Sequence, residues 1–134
     1  MRTNILAALL AFGFSATGLF AFFLPEHFFN LLPSYYGSLN IHFVKDAGLS
    51  FLSSGLLLTL SLTYAKWRIP LTLGGILFVF LHGLFHAQML INGMASTFTD
   101  LAVEIIVIII PSVLAFTLLL LRIKENYQQK QALQ

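Results

Sequence analysis

The sequence contains no cysteine. That excludes disulfide scaffolds, thiolate metal sites, cysteine nucleophiles and dithiol redox chemistry. Charge is almost as scarce. Only 9% of the 134 residues are Asp, Glu, Lys or Arg, against about 25% in an ordinary soluble domain. A soluble chain of this length exposes too much surface to carry so few charges. The same scarcity excludes a disordered chain and a nucleic-acid binder of the usual basic kind. What is abundant is apolar: 58% of the residues are hydrophobic, and 14 are Phe.

The apolar residues fall into runs of about 20, the length that crosses a bilayer as a helix. Four such spans are expected, at about 4–24, 41–64, 71–91 and 101–121. Pro25 closes the first and Pro33 lies in the loop beyond it. Lys66, Trp67, Arg68 and Pro70 separate the second from the third, and Asn92-Gly93 is a turn signal after the third. Tyr35, Tyr36, Tyr64 and Trp67 stand at span edges, where amphipathic rings settle at the headgroup level. The first run is expected to be a retained helix, because it exceeds the 7–15 residues of a usual leader core and ends in Phe22-Phe23-Leu24-Pro25.

These runs predict an all-α membrane protein, a single four-helix bundle over 1–134 in up-down-up-down order, with a polar tail at 122–134. Arg2 precedes the first span, Lys66 and Arg68 lie between the second and third, and Arg122, Lys124 and Lys130 follow the fourth. The positive-inside rule then places both termini and the middle loop in the cytoplasm, and the loops at 25–40 and 92–100 outside. A bacterial inner membrane is the expected compartment. The bilayer is the first partner, and assembly into a homodimer or larger membrane complex is expected to be compatible with this size.

On that topology the acids and histidines gather in the outer half. His42 and Asp46 begin the second span, His82 and His86 lie late in the third, and Asp100 and Glu104 begin the fourth. Each pair is spaced by four, so its members share a helix face about 6 Å apart. Ionisable groups in hydrocarbon cost roughly 2.5–3.5 kcal/mol each at a span centre, so convergence on one interior pocket is the expected arrangement. Glu26 and His27 are expected to remain a solvated loop pair, and Lys45 to pair with Asp46, Asp100 or Glu104. Pro111 is expected to kink the fourth span near mid-membrane.

Three histidines and three carboxylates form a ligand set for a divalent transition metal, with Zn or Fe foremost. His42, Asp46, His82, His86, Glu104 and Asp100 are therefore the candidate metal ligands, and Glu104 and Asp100 the candidate general bases for a metal-bound water. The substrate of such a site would be a lipid or other hydrophobe entering from the bilayer. The alternatives are a haem held by His42 with His82 or His86, an organic-ligand carrier, and a non-catalytic subunit whose polar cluster is structural or proton-titrating. A transporter ranks lower, since the inner half offers only Ser and Thr as relay stations. The stretch His42-Phe43-Val44-Lys45-Asp46-Ala47-Gly48 with the later His82 and His86 resembles small bacterial membrane proteins, a resemblance that implies no activity.

Overall fold

The structure is a computed structural model that describes residues 2–132. Met1, Leu133 and Gln134, the last two belonging to the expected tail, lie outside the described residues. It is 87% helical, and no strand occurs among the described residues. Four helices are long and apolar enough to cross a membrane. The first is α1 (Arg2–Phe23). Pro25 then opens a short α2 (Pro25–Phe29), at the first helical position where its missing N–H costs nothing. A single 3-10 turn follows at Ser34–Tyr36. The second span is α3 (Ile41–Thr63), capped by the Asn40 side chain, which accepts from the Phe43 N–H. A 3-10 turn at Ala65–Trp67 leads into α4 (Arg68–Ile91).

The third span stops as its sequence signalled. Asn92 is the cap, Gly93 takes φ 74°, and Met94 N–H donates to the Met89 carbonyl at 3.2 Å while Gly93 N–H donates to that of Leu90 at 3.0 Å. This is a Schellman closure, which needs a residue tolerant of the left-handed region. The fourth span starts as α5 (Phe98–Val103), passes through a π-helical turn (Glu104–Ile109), and continues as α6 (Ile110–Gln131).

That π turn lies immediately ahead of Pro111, where a kink was expected. Proline has no N–H for the carbonyl four residues back and its ring clashes with that carbonyl. Widening the preceding turn relieves both, and Ile110 N–H accordingly bonds the Ile105 carbonyl, five residues back. The extra residue also shifts the helix face. An unbroken α-helix would carry Glu104 and Pro111 on one side. Instead Glu104 and Ser112 are the buried pair, eight apart, and the pattern resumes at Ala115, Leu118 and Arg122.

The close-packed core lies at one end of the bundle. It consists of Ala7, Leu10, Ala11 and Phe14 of α1, Leu58 of α3, Ile76 and Val79 of α4, and Ala115, Leu118 and Leu119 of α6. α1 and α3 approach through glycine: an added Cβ at Gly18 would lie 2.6 Å from the Gly48 carbonyl oxygen. Gly83 of α4 gives the same clearance to Ser112, whose hydroxyl donates to the Val79 carbonyl at 3.0 Å. Small residues at such crossings let backbones approach where lipid offers no hydrophobic drive. The outward face is mostly apolar, with Phe12, Ile91 and Phe98 all more than 75% exposed. A surface of this kind is the lipid-facing side of an integral membrane protein.

Candidate functional site

At the end of the bundle opposite the core, Glu104 is fully enclosed and His86 is 1% exposed. Glu104 opens the π turn, and His86 closes the buried register of α4 that runs through Ile76, Val79 and Gly83. His86 Nδ1–H donates to Glu104 Oε2 at 2.8 Å. The Tyr36 hydroxyl donates to Glu104 Oε1 at 2.6 Å, and the Tyr35 hydroxyl donates to the same oxygen. Tyr36 also brings its hydroxyl to 3.0 Å from His86 Nδ1. Three donors on one carboxyl match an acceptor-only carboxylate. Burial, and then the hydrogen bond to Glu104, push both phenols above the ordinary tyrosine value, so they remain neutral donors.

The two tyrosines reach this position because the loop after α2 folds back over the bundle. The 3-10 turn at Ser34–Tyr36 presents both rings side by side, with centroids 5.1 Å apart. Gly37, at φ 83°, then reverses the chain into α3, a conformation that glycine takes without strain. Sequence reasoning placed these rings in the headgroup belt. The available signal was a tyrosine pair bracketed by Pro33 and Gly37 in an outer loop, beside carboxylates in need of donors.

His82 stands one turn before His86, with ring centroids 4.4 Å apart. Aromatic rings hold it: Phe78 stacks on it at 5.3 Å and Phe51 meets it edge-on at 5.5 Å. His82, His86 and Tyr36 form the polar end of a cavity of about 740 Å³. The rest of its wall is mostly apolar and comes from α1, α2 and the loop after it, α3, α4 and the fourth span, including Gly13, Phe14, Phe28, Phe51 and Pro111. α1 packs along α3 and meets α6, leaving this space toward the π turn. Glu104 engages the Nδ1 side of His86. A neutral imidazole with its proton on Nδ1 carries a bare Nε2, able to accept a hydrogen bond or a proton.

Compared with known protein families, curated proteins and solved structures, the chain matches none. The geometry therefore stands alone.

That geometry unites three of the six residues expected to converge. His82, His86 and Glu104 are together. His42 and Asp46 are not with them: their side chains are 86% and 62% exposed, and His42 Nδ1 meets Asp46 Oδ2 at 2.9 Å. Their four-residue spacing did make a pair, but on the wrong face. They lie two residues before Val44 and Gly48, the buried positions of α3, and two residues turn a helix by about 200°. Asp100 is a helix cap. Its carboxylate accepts from the Thr97 N–H at 3.2 Å while the Thr97 hydroxyl accepts from the Asp100 N–H at 3.1 Å, a reciprocal capping box. Among the described residues no group of three or more His, Asp or Glu side chains is disposed to hold a metal ion. Glu26 and His27 are exposed, as expected for a loop pair. Lys45 lies over the Phe22 ring at 5.5 Å rather than against a carboxylate, because its own position on α3 turns it toward α1.

The inner half also differs from expectation. Arg122, read as the first residue of a polar tail, is 2% exposed within α6. Its guanidinium donates to the Ser61 hydroxyl at 2.6 Å and to the Thr72 hydroxyl. The stem of an arginine can lie along an apolar helix while its head reaches polar partners, so a basic residue just past an apolar run need not mark the end of burial.

Proposed function

We propose that the protein binds a lipid-soluble organic molecule bearing a hydroxyl or carbonyl group, drawn from the bilayer, with that group held against His82 and His86. The observation that carries this reading is the cavity itself: about 740 Å³, mostly apolar, with His82, His86 and Tyr36 meeting it at one end and Thr17, Ser38, Asn40 and Ser112 as its other polar residues. Its size falls in the range of small-molecule sites, which are apolar pockets with few oriented polar groups. The Glu104 carboxylate supports the function through His86: by accepting from Nδ1 it orients the ring with Nε2 available, as an outer partner does for a catalytic or ligating histidine. A ligand hydroxyl donating to Nε2 would meet a group able to take its proton, so acid–base chemistry on the ligand is the extension of this reading. Metal binding at the same place has less support, since the six expected ligands are dispersed.

The topology proposed is up-down-up-down with both termini cytoplasmic, in a bacterial inner membrane, and with the His86–Glu104 end facing outward. Side chains from the start of α1 and the end of α6 meet, as Thr3 does Glu125 at 3.0 Å, and this supports the alternating order. Lys66, Arg68, Lys124 and Lys130 share that end by sequence, which supports its cytoplasmic placement. Because the chain lacks cysteine, single cysteines at Ser38 and Ser96 should react with impermeant reagents from outside, and one at Gln131 should not.

The test of function is native mass spectrometry on protein purified in mild detergent, with a decyl-substituted hydroquinone as added probe and elemental analysis alongside. A retained lipophile or saturable probe binding, weakened in His82→Gln and His86→Gln, is the expected result. A stoichiometric metal lost in those variants, with no lipophile bound, would replace this reading with the metal-site one.

A further inference from the structure

The cytoplasm-assigned end carries a second polar feature that the cavity at His82 does not use. Arg122 spends one guanidinium nitrogen on Ser61 and Thr72. Its Nε and Nη2 are buried without a partner among the described residues, and so is Nε of Arg68. Buried donors left unmatched carry the full penalty of their lost hydration, larger when they are charged. The two guanidinium groups are also within Coulombic reach of each other. Two like charges at partly buried positions destabilise one another unless an anion lies between or beside them.

The carboxylate in the neighbourhood is Glu125, which accepts from the Thr3 hydroxyl at 3.0 and 3.1 Å and lies beyond ion-pair distance of either arginine. Among the described side chains of this cluster, the balance is two cations, Arg68 and Arg122, against one anion, Glu125. Beside them is a cavity of about 420 Å³ lined by Arg68, Thr3, Asn4, Glu125, Gln128 and Gln129. Arg68 reaches its wall directly, and Arg122 stands behind as fixed positive charge. Besides the Glu125 carboxylate, the wall carries the amide side chains of Asn4, Gln128 and Gln129, whose NH2 groups can donate to anionic oxygens. A monoanionic group would bring the site to neutrality, and arginine is the side chain whose planar fork matches phosphate oxygens.

We propose that this end of the bundle binds a phosphate group, presented by a phospholipid head group or as a free phosphate ion. Arg68 is the contact residue, and Arg122 supplies the second positive charge. The site lies where the chain leaves the apolar layer, the depth of lipid phosphates, and anionic lipids concentrate in a cytoplasmic leaflet.

The full-length protein in mild detergent is titrated with short-chain phosphatidylglycerol, with diacylglycerol of the same chains, and with inorganic phosphate, and binding is read by native mass spectrometry and thermal shift. Saturable binding of phosphatidylglycerol but not diacylglycerol is expected, with Arg68→Gln weakening it about tenfold, the loss for a hydrogen bond to a charged group. Lys66→Gln, an exposed neighbour, should bind as the native chain does. Displacement by inorganic phosphate at comparable concentration would identify the free ion as the source, and its failure to displace would identify the head group. Absence of binding by both phosphate carriers, equal binding by Arg68→Gln, or an equal loss in Lys66→Gln would overturn the proposal. None of these outcomes bears on the cavity at His82, which lies in the other half of the bundle.

Discussion

Glu104 and His86, 18 residues apart in sequence, meet at 2.8 Å in a position sealed from the surroundings. The contact joins the π turn of the fourth span to the last buried position of α4. A buried hydrogen bond to a carboxylate adds only modest net stability when intact, because desolvation offsets the attraction, but removing the carboxylate strands the His86 N–H without an acceptor. Here Tyr35 and Tyr36 would be stranded as well.

Glu104→Ala should therefore destabilise the protein by about 3–5 kcal/mol. Thermal unfolding in detergent, followed by circular dichroism, measures it. A loss under about 1 kcal/mol would mean that the pair is not enclosed as described.

The phenols give a pH signature. Burial first, and the Glu104 carboxylate second, raise both Tyr35 and Tyr36 above their ordinary value. A raised acid stays protonated in the folded state after it ionises in the unfolded one. Stability from these groups is thus fully present below pH about 10 and is lost as pH climbs above it. Absorbance titration of tyrosinate should show two late-ionising tyrosines of the four. The Tyr35→Phe, Tyr36→Phe double variant should lose that late component.

Gly13 offers a way to close the cavity without disturbing the bundle. An added Cβ there meets nothing within 4 Å, and Gly13 lines the cavity. Gly13→Leu should keep or raise stability, since leucine favours a helix over glycine by up to about 1 kcal/mol. It should abolish binding of the hydroquinone probe. Unchanged binding would detach the proposed ligand from this cavity.

Gly55 should behave in the opposite way. Its Cβ would lie 2.7 Å from the Ser15 backbone nitrogen and 2.8 Å from the Ala11 carbonyl oxygen. Gly55→Leu should separate α1 from α3 and cost about 1–3 kcal/mol or more, seen as a lower unfolding temperature.

His42→Ala and Asp46→Ala should each change stability by no more than about 0.5 kcal/mol, the worth of an exposed helical ion pair. They should leave probe binding intact. Loss of binding in either would restore these residues to the site.

The count of spans and the end of the third helix were legible in the sequence, since they depend on local properties: run length, Pro25 at the end of the first run, Asn92-Gly93 at a helix end. The capping-box spacing of Thr97 and Asp100 stood in the sequence, but Asp100 was read as a ligand. The membership of the site was only half legible. A spacing of four correctly paired His42 with Asp46 and His82 with His86, but spacing says which residues share a face and not where the face points.

The sequence by itself thus determined four apolar helices and the depth of each ionisable group along them, because length and hydropathy act on each segment alone. The tertiary structure decided the rest. Packing of α3 against α1 through Gly48 and Gly18 turned His42 and Asp46 outward. The π turn ahead of Pro111 rotated the fourth span so that Glu104 and Ser112 both face α4. The loop turn at Gly37 carried Tyr35 and Tyr36 onto Glu104, and the bundle enclosed Arg122 with Ser61 and Thr72. Each of these outcomes is a rotation about a helix axis or a contact between distant segments. Such degrees of freedom are fixed only when one helix must fill the grooves of another and every buried polar group must find a partner.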